Sequence, residues 1–194
     1  GASYARPRVR VHFKISLTMI LILYFLKFPE CPVIVSRDEW GAVPPMNEEK
    51  LKQPIDLVII QHTVTSSSHY MSPKKHGYFK YFSFLVGGNG KVYECRGWNY
   101  IGAHTHGYNY DSYGISFMGN FNVDTPTDKM IEAAKNLIQC GVDAGHIGKD
   151  YHVVGHRQVT PTESPGEKLY HEIQSWPHYL PGRTLYDISD QKQL

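Results

Sequence analysis

Residues 57–65 have the sequence Leu-Val-Ile-Ile-Gln-His-Thr-Val-Thr, an unbroken apolar run followed by polar side chains. A β-branched run without polar alternation is typical of a strand that is buried on both faces of a sheet. We therefore predict a central strand over Leu57–Ile60. The polar residues Gln61, His62 and Thr63 follow it at the point where they can line a cleft.

Segments further along the chain predict partners for this strand. Phe82–Val86 and Lys91–Glu94 flank the turn sequence Gly87-Gly88-Asn89-Gly90, which indicates a β-hairpin. Ile115–Phe121 and Tyr151–Val154 are two more strand candidates.

Two helices are predicted after the hairpin. Apolar residues recur at helical spacing from Met130 to Val142, with Thr127 or Asp128 as the cap and Gly145 as the stop. The second helix is predicted to begin at Ser164 as N-cap, with Pro165 and Glu167 completing a capping box.

Leu169, Tyr170, Ile173 and Trp176 are expected to form the buried stripe of this second helix. Strands alternate with helices, yet a hairpin lies among them. The predicted fold class is therefore α/β, with a central mixed sheet flanked by helices.

Composition limits the possible partners. The chain has 194 residues, 41% of them hydrophobic, which is enough for one core and favours a single domain. The formal net charge of +2 predicts no basic face for a nucleic-acid backbone, so nucleic acid is not expected as a partner. The 14 tyrosines and 11 histidines suit a polar ligand groove.

The first thirty residues differ from the rest of the sequence. Four basic residues precede an apolar run over 15–28, which is the order found in a signal peptide. We interpret residues 1–30 as a leader, cleaved or retained as a signal anchor; a start at Met19 would shorten it. Residues 31–180 would then form the domain and 181–194 a polar tail, in a secreted or membrane-anchored extracellular protein.

Cys31, Cys95 and Cys140 allow one disulfide and one free thiol, and a leader implies an oxidising compartment. Spacing alone does not choose the pair.

Several blocks in the same order and spacing resemble the peptidoglycan recognition protein family, which is similar to bacteriophage-type zinc amidases. The resemblance covers Cys31–Leu180. The blocks are 36–42 (SRDEWGA), 58–65 (VIIQHTVT), 84–90 (FLVGGNG), 92–99 (VYECRGWN), 102–109 (GAHTHGYN), 155–159 (GHRQV), 164–166 (SPG) and 176–178 (WPH).

The resemblance implies an amidase-like fold with an open groove for a muramyl stem peptide. It also implies that Cys31 pairs with Cys140. Cys95, which stands where the family usually has Gly, would remain a free thiol.

The resemblance further implies a zinc site that this sequence has lost. The amidases of the family bind zinc through a His, a second His and a Cys, and the corresponding residues here are Gln61, His156 and Ser164. An amide and a hydroxyl do not replace imidazole and thiolate as zinc ligands. The Tyr that assists the reaction corresponds to Phe82, so we expect neither zinc, nor another cofactor, nor catalysis.

Aromatic faces and directed polar groups suit the sugars and amides of peptidoglycan. In the family, a Gly-Trp pair with an Arg goes with preference for stem peptides that carry diaminopimelic acid. Gly97-Trp98 resembles that pair, and Arg96 is the nearest Arg. The expected ligand-binding residues are His62, Thr63, Arg96, Trp98, His104, Tyr108, Asn109, His156 and Ser164.

One segment departs from the family pattern. The family has a full helix where this chain has only Ser66–Tyr81, interrupted by Pro73 and Gly77. The short segment reflects either a real isoform or an error in the gene model. The leading hypothesis is an innate immune receptor that binds peptidoglycan, with signalling or recognition proteins as further partners. The alternatives are a zinc-dependent amidase and a regulatory decoy that binds other recognition proteins.

Overall fold

The structure, a computed structural model, describes residues 31–42, 48–65 and 80–182. The proposed leader, residues 66–79 of the shortened segment and residues 183–194 of the tail lie outside this range. Within it, the strands are β1 (Ile34–Val35), β2 (Ile55–His62), β3 (Phe84–Val86), β4 (Val92–Glu94), β5 (Tyr113–Phe117) and β6 (Ile147–Gly155). The helices are α1 (Arg37–Trp40), α2 (Asp128–Asp143) and α3 (Glu167–Ile173), with a 3-10 turn at His156–Gln158.

The strands form one mixed sheet in the order β1-β4-β3-β5-β2-β6. β3 and β4 pair antiparallel, as the hairpin prediction requires, and the other neighbours pair parallel. The prediction of a mixed α/β fold is confirmed. β2 lies between β5 and β6, which explains why its sequence is apolar on both faces.

The main core lies between the sheet and the helices α2 and α3. Val58 and Ile60 of β2 contribute to it from the sheet, and Leu137 and Leu169 contribute from the helices. The opposite face of β2 carries Leu57 and Ile59, which belong to a smaller cluster. Gln61 continues this second face because side chains alternate along a strand.

The predicted caps of the two long helices had different outcomes. Thr127 caps α2 and accepts a hydrogen bond from the Met130 N–H, as the sequence indicates. The capping box at Ser164 is wrong: α3 begins at Glu167, and its N-cap Gly166 makes no side-chain bond. The Ser164 hydroxyl instead accepts a hydrogen bond from the backbone N–H of His62 at 3.2 Å. Ser164 therefore bonds to a residue that is distant in the sequence and not to a backbone N–H of the helix that follows it.

Cys31 and Cys140 form a disulfide with a Cα–Cα distance of 5.4 Å, which confirms the pairing that the resemblance implied. It ties the start of the described chain to α2. Cys95 is a free, fully buried thiol, and burial raises its pKa. No helix in the described part of the chain is long and apolar enough to cross a membrane.

Candidate functional site

A cavity of about 420 Å³ opens where β2 and β6 end. Carboxyl ends of parallel strands are a common place for ligand sites because the connecting loops diverge there. Strand β2 supplies two wall residues, and the turn after β6 supplies His156. The cavity is lined by Gln61, His62, Val64, Phe82, His104, Asn122, His156, Thr162, Glu163 and Ser164.

Gln61 is held in one orientation by the loop that crosses above it. Its Nε2 donates to the backbone carbonyl of His104 at 3.2 Å and to Thr105 Oγ1 at 2.9 Å. Because a carbonyl only accepts, the amide cannot be turned over. Gln61 is 1% exposed, and its Oε1 has no hydrogen-bond partner in the described part of the structure.

His62 is fixed by its backbone and by its ring. Its backbone N–H bonds to Ser164, and its Nδ1 accepts from the Phe121 backbone N–H at 3.3 Å. Burial lowers the pKa of His62 to about 4, and the nearby positive charge of Arg157 acts in the same direction. At neutral pH the ring is therefore neutral, with its proton on Nε2.

His104 lies in a loop that Asn109 organises. The Asn109 side-chain oxygen accepts from the backbone N–H groups of His104 at 2.9 Å and of Thr105 at 2.8 Å. His104 Nδ1 is 3.0 Å from Thr105 Oγ1, and Nε2 has no hydrogen-bond partner among the described residues. Desolvation and the neighbouring His156 lower the pKa of His104 to about 3.

His156 begins the 3-10 turn that follows β6 and faces the same cavity. Desolvation lowers its pKa to about 4, with His62 contributing in the same direction. Three uncharged imidazoles therefore line the cavity at neutral pH, and the formally charged side chain in its described lining is Glu163.

Thr63 and Tyr108 are two further residues that the sequence predicted to bind the ligand. The Thr63 hydroxyl is 2.6 Å from Thr65 Oγ1 and accepts from the Gly119 N–H at 3.1 Å. Tyr108 is half-buried against the cluster that contains Leu57. Neither Thr63 nor Tyr108 is among the residues that line this cavity, and their contact with a ligand stays a prediction.

Trp98 packs against the core at the end of the hairpin. Its ring is packed into the core, 4.5 Å from the Phe84 ring and stacked at 4.9 Å on His146. A Cβ on Gly141 would come within 2.7 Å of this indole, so α2 also seals it. Trp98 is thus half-buried against the core and is not among the residues that line either cavity, so its role in ligand binding stays a prediction.

Arg96 lines a second, smaller cavity of about 170 Å³ with Glu49, Asn109 and Tyr110. The Arg96 side chain is 7% exposed, and its Nε donates to the Lys80 carbonyl at 3.2 Å. Desolvation lowers the pKa of its guanidinium, with Arg37 nearby. The loop over 101–110 contributes to both cavities, so one extended ligand could contact both.

The structure adds lining residues that the sequence did not single out. Asn122 and Glu163 are joined by a hydrogen bond of 2.9 Å, and they reach the rim together with Thr162. Val64 lies at the mouth with φ at 55°, a conformation that β-branched residues rarely adopt. No periodic signal marks these loop positions; the proximity of Glu163 to Ser164 was the one available hint.

A much larger depression of about 920 Å³ lies between α2 and α3. Its lining is mostly charged and includes Glu132, Lys135, Lys168 and Glu172, with an ion pair of 3.5 Å between Lys135 and Glu172. None of the predicted site residues lies there.

The three residues at the expected zinc positions do not fit a zinc ion. In the described part of the chain, no group of three or more His, Cys, Asp or Glu side chains is arranged to hold a metal. Gln61 and Ser164 supply a carboxamide and a hydroxyl, which are weak zinc donors, and both are engaged in hydrogen bonds. His156 alone is an ordinary zinc ligand.

The sheet, the helices α2 and α3 packed on one face of it and the cavity at the end of β2 define an amidase-like domain. A profile of the N-acetylmuramoyl-L-alanine amidase family matches residues 51–167. Within this class the chain belongs to the peptidoglycan recognition protein family.

Three relatives illustrate this membership. The chain is 44% identical to a peptidoglycan recognition protein of Trichoplusia ni over 84% of this chain and 99% of the relative. It is similar to the structure of bumblebee PGRP-SA, with a TM-score of 0.74, 43% identity and coverage of 78% and 99%. It is also similar to peptidoglycan recognition protein-LE in complex with tracheal cytotoxin, a monomeric diaminopimelic acid-type peptidoglycan, with a TM-score of 0.72, 41% identity and coverage of 76% and 95%.

Proposed function

We propose that this chain is a peptidoglycan receptor without amidase activity. The observation that carries the proposal is the chemistry of Gln61 and Ser164. A hydrolytic zinc site needs three protein ligands and an open position for water, and only His156 of the three is an ordinary ligand. The Ser164 hydroxyl accepts the His62 N–H, and the Gln61 amide anchors the 104–105 loop.

The ligand we propose is a muramyl stem peptide of the diaminopimelic acid type. The relative PGRP-LE is described as bound to such a fragment. In this chain, Arg96 lines the second cavity together with residues of the 101–110 loop, and the same loop contributes His104 to the cavity that Gln61 lines. A guanidinium can hold the extra carboxylate of diaminopimelate, which lysine-type stems lack.

We further propose an extracellular role in immune recognition. The disulfide between Cys31 and Cys140 is typical of an oxidising compartment. Two relatives, PGRP-LCa and PGRP-LCx, form an ectodomain complex with bound tracheal cytotoxin. A second recognition protein or a signalling receptor is accordingly the protein partner to test.

The experiment is co-sedimentation of the purified protein with insoluble diaminopimelic acid-type peptidoglycan, with insoluble chitin as the control polymer. The same sample is assayed for zinc content and for release of stem peptides. Selective sedimentation without zinc-dependent release supports the proposal. Stoichiometric zinc with release that a chelator abolishes identifies an amidase. Capture of another recognition protein without binding to peptidoglycan identifies the decoy.

A further inference from the structure

The loop that follows β6 carries one wall of the cavity, and two separate attachments hold this wall. Thr162, Glu163 and Ser164 are the lining residues that it contributes. The Arg157 guanidinium donates to the Glu163 carbonyl at 2.6 Å, and the Arg157 backbone N–H donates to the Ser164 carbonyl at 2.8 Å. These two bonds form the first attachment, and they fix the main chain of the wall.

The second attachment is the side chain of Asn122, which lies in the turn after β5. Its Nδ2 donates to Glu163 Oε2 at 2.9 Å, and its Oδ1 accepts from the Glu167 backbone N–H at 3.1 Å. Because an ionised carboxylate only accepts and a backbone N–H only donates, the two partners determine the orientation of the amide. Each end of the amide therefore bonds to a different part of the chain.

Asn122 also supplies a cap that α3 lacks locally. The N-cap residue of α3 is Gly166, which has no side chain, so the first N–H groups of the helix need partners from elsewhere. The Glu167 N–H bonds to Asn122 Oδ1, and the Lys168 N–H bonds to the Phe121 carbonyl at 3.0 Å. A turn that lies 45 positions earlier in the chain thus caps this helix.

The side-chain bonds close into a ring. Arg157 Nη1 donates to Glu167 Oε1 at 2.7 Å, and this bond completes the circuit. The members of the ring, in the order in which they are bonded, are Asn122, Glu163, Arg157 and Glu167. Isolated bonds at the surface contribute little, whereas bonds that share partners in a network support one another. The ring can therefore hold the wall more firmly than separate contacts would.

We propose that Asn122 is a positioning residue for ligand binding: by bonding at once to Glu163 and to the start of α3, it keeps the 162–164 wall in the geometry that receives the ligand. The inference rests on the proposed function. The role depends on an amide that donates on one side and accepts on the other, and not on contact between Asn122 and the ligand. A wall that is ordered before binding spares the ligand the entropy cost of ordering it, so a loosened wall should bind more weakly.

The test is a double-mutant cycle on Asn122 and Glu163, with the affinity for a soluble muramyl peptide of the diaminopimelic acid type measured by titration calorimetry. Asn122→Asp keeps an acceptor for the Glu167 N–H but replaces the donor by a second carboxylate that faces Glu163. Glu163→Gln offers that new carboxylate a donor. Asn136→Asp makes the same change of charge in the depression between α2 and α3 and is the matched control.

We expect Asn122→Asp to lower the affinity about tenfold in the wild-type background and no more than about twofold in the Glu163→Gln background, because the two carboxylates repel each other only in the first. Its unfolding temperature should stay near that of the wild type, since Asp caps a helix as well as Asn does. Asn136→Asp should bind as the wild type does. A stable fold with weaker binding separates positioning of the wall from general loss of structure.

Equal losses of affinity in the two backgrounds, or no loss in either, would overturn the inference. Should Asn122→Asp fail to fold, the cycle is run with Asn122→Ala and Glu163→Ala, where strictly additive losses would overturn it in the same way. If the wild type binds no muramyl peptide, the proposed function fails and this inference fails with it. The two failures are distinguishable, because absence of coupling in a wild type that does bind overturns the inference alone.

Discussion

The imidazole of His104 lies so close to the main chain of Gly114 that a Cβ atom at position 114 would be 2.4 Å from His104 Cγ. Gly102 approaches the same ring, with 2.5 Å from its Cβ position to His104 Cδ2. Two glycines thus make the space in which a wall residue of the cavity is packed.

Gly114→Ala should displace this ring. The added methyl group has no room, so we expect a loss of roughly 1–3 kcal/mol in the free energy of unfolding and weaker peptidoglycan binding. Denaturant titration and co-sedimentation measure both effects. In a His104→Ala background the same substitution should cost much less, because the clashing atoms are gone. An equal cost in both backgrounds would place the strain elsewhere.

Replacing Gln61 and Ser164 by the zinc ligands of the family's amidases should create a zinc-binding site. Gln61→His combined with Ser164→Cys gives two imidazoles and a thiolate around one position, a set that suits zinc. We expect about one bound zinc per chain by elemental analysis after dialysis, against a trace amount in the wild type. Gln61→His with Ser164→Ala, which lacks the thiolate, is the matched control. Stoichiometric zinc in the wild type would contradict the claim that Gln61 and Ser164 are too weak as ligands to hold the ion.

Arg96→Thr should weaken binding of diaminopimelic acid-type stem peptides by about 10–100-fold, since hydrogen bonds to a charged group are lost. Lysine-type stem peptides serve as the internal control and should bind as before. Arg96→Lys should recover only part of the loss, because an ammonium group cannot form the paired bonds of a guanidinium. Titration calorimetry with both ligands measures the affinities. Equal losses of affinity for the two ligands would show that Arg96 does not determine specificity.

Acidification should destabilise the fold through the cavity histidines. Their folded pKa values, about 4 for His62 and His156 and about 3 for His104, lie below the value of about 6.5 in an unfolded chain. Between these limits the unfolded state binds protons that the folded state does not, so stability falls as pH falls, by up to about 1.4 kcal/mol per pH unit for each histidine.

Urea unfolding at about pH 7.5 and about pH 5 measures this dependence. His104→Gln should show a smaller loss between the two pH values than the wild type. His106→Gln, at an exposed position of the same loop, should lose as much as the wild type. If the two variants behave alike, the buried ring is not a source of the pH dependence.

The disulfide should carry much of the stability of the domain. It joins residues 109 positions apart, and removing such a cross-link costs about 2–5 kcal/mol. Cys31→Ala with Cys140→Ala should therefore unfold at a lower temperature than the wild type, and a reductant should lower the transition of the wild type but not that of this double variant. Cys95→Ala, which leaves the cross-link intact, should keep its sensitivity to the reductant.

The sequence predicted those elements whose signal is local. The apolar run of β2, the glycine-rich turn of the hairpin and the Thr127 cap of α2 each depend on neighbours in the chain, and all three are confirmed. The short elements β1 and α1 were missed, although Ser36 and Glu39 form a complete capping box. β6 begins at Ile147, earlier than predicted, because exposed polar residues are tolerated in an edge strand.

What the sequence did not reveal near the candidate site depends on long-range contacts. The Ser164 pattern is a good local cap, yet the hydroxyl bonds to His62, 102 positions away. Trp98 follows the hairpin in a block that suggested a groove, and its half-buried ring packs against His146 and Phe84. Neither pairing is visible until the sheet order is known.

The position of β2 between two parallel neighbours has a consequence for how a ligand would be received. Backbone amides over residues 58–61 are bonded within the middle of the sheet, so their exchange with deuterated solvent should be among the slowest in the domain. Gln61 and His62 are therefore held in place before any ligand arrives. Docking against them would therefore cost little ordering entropy.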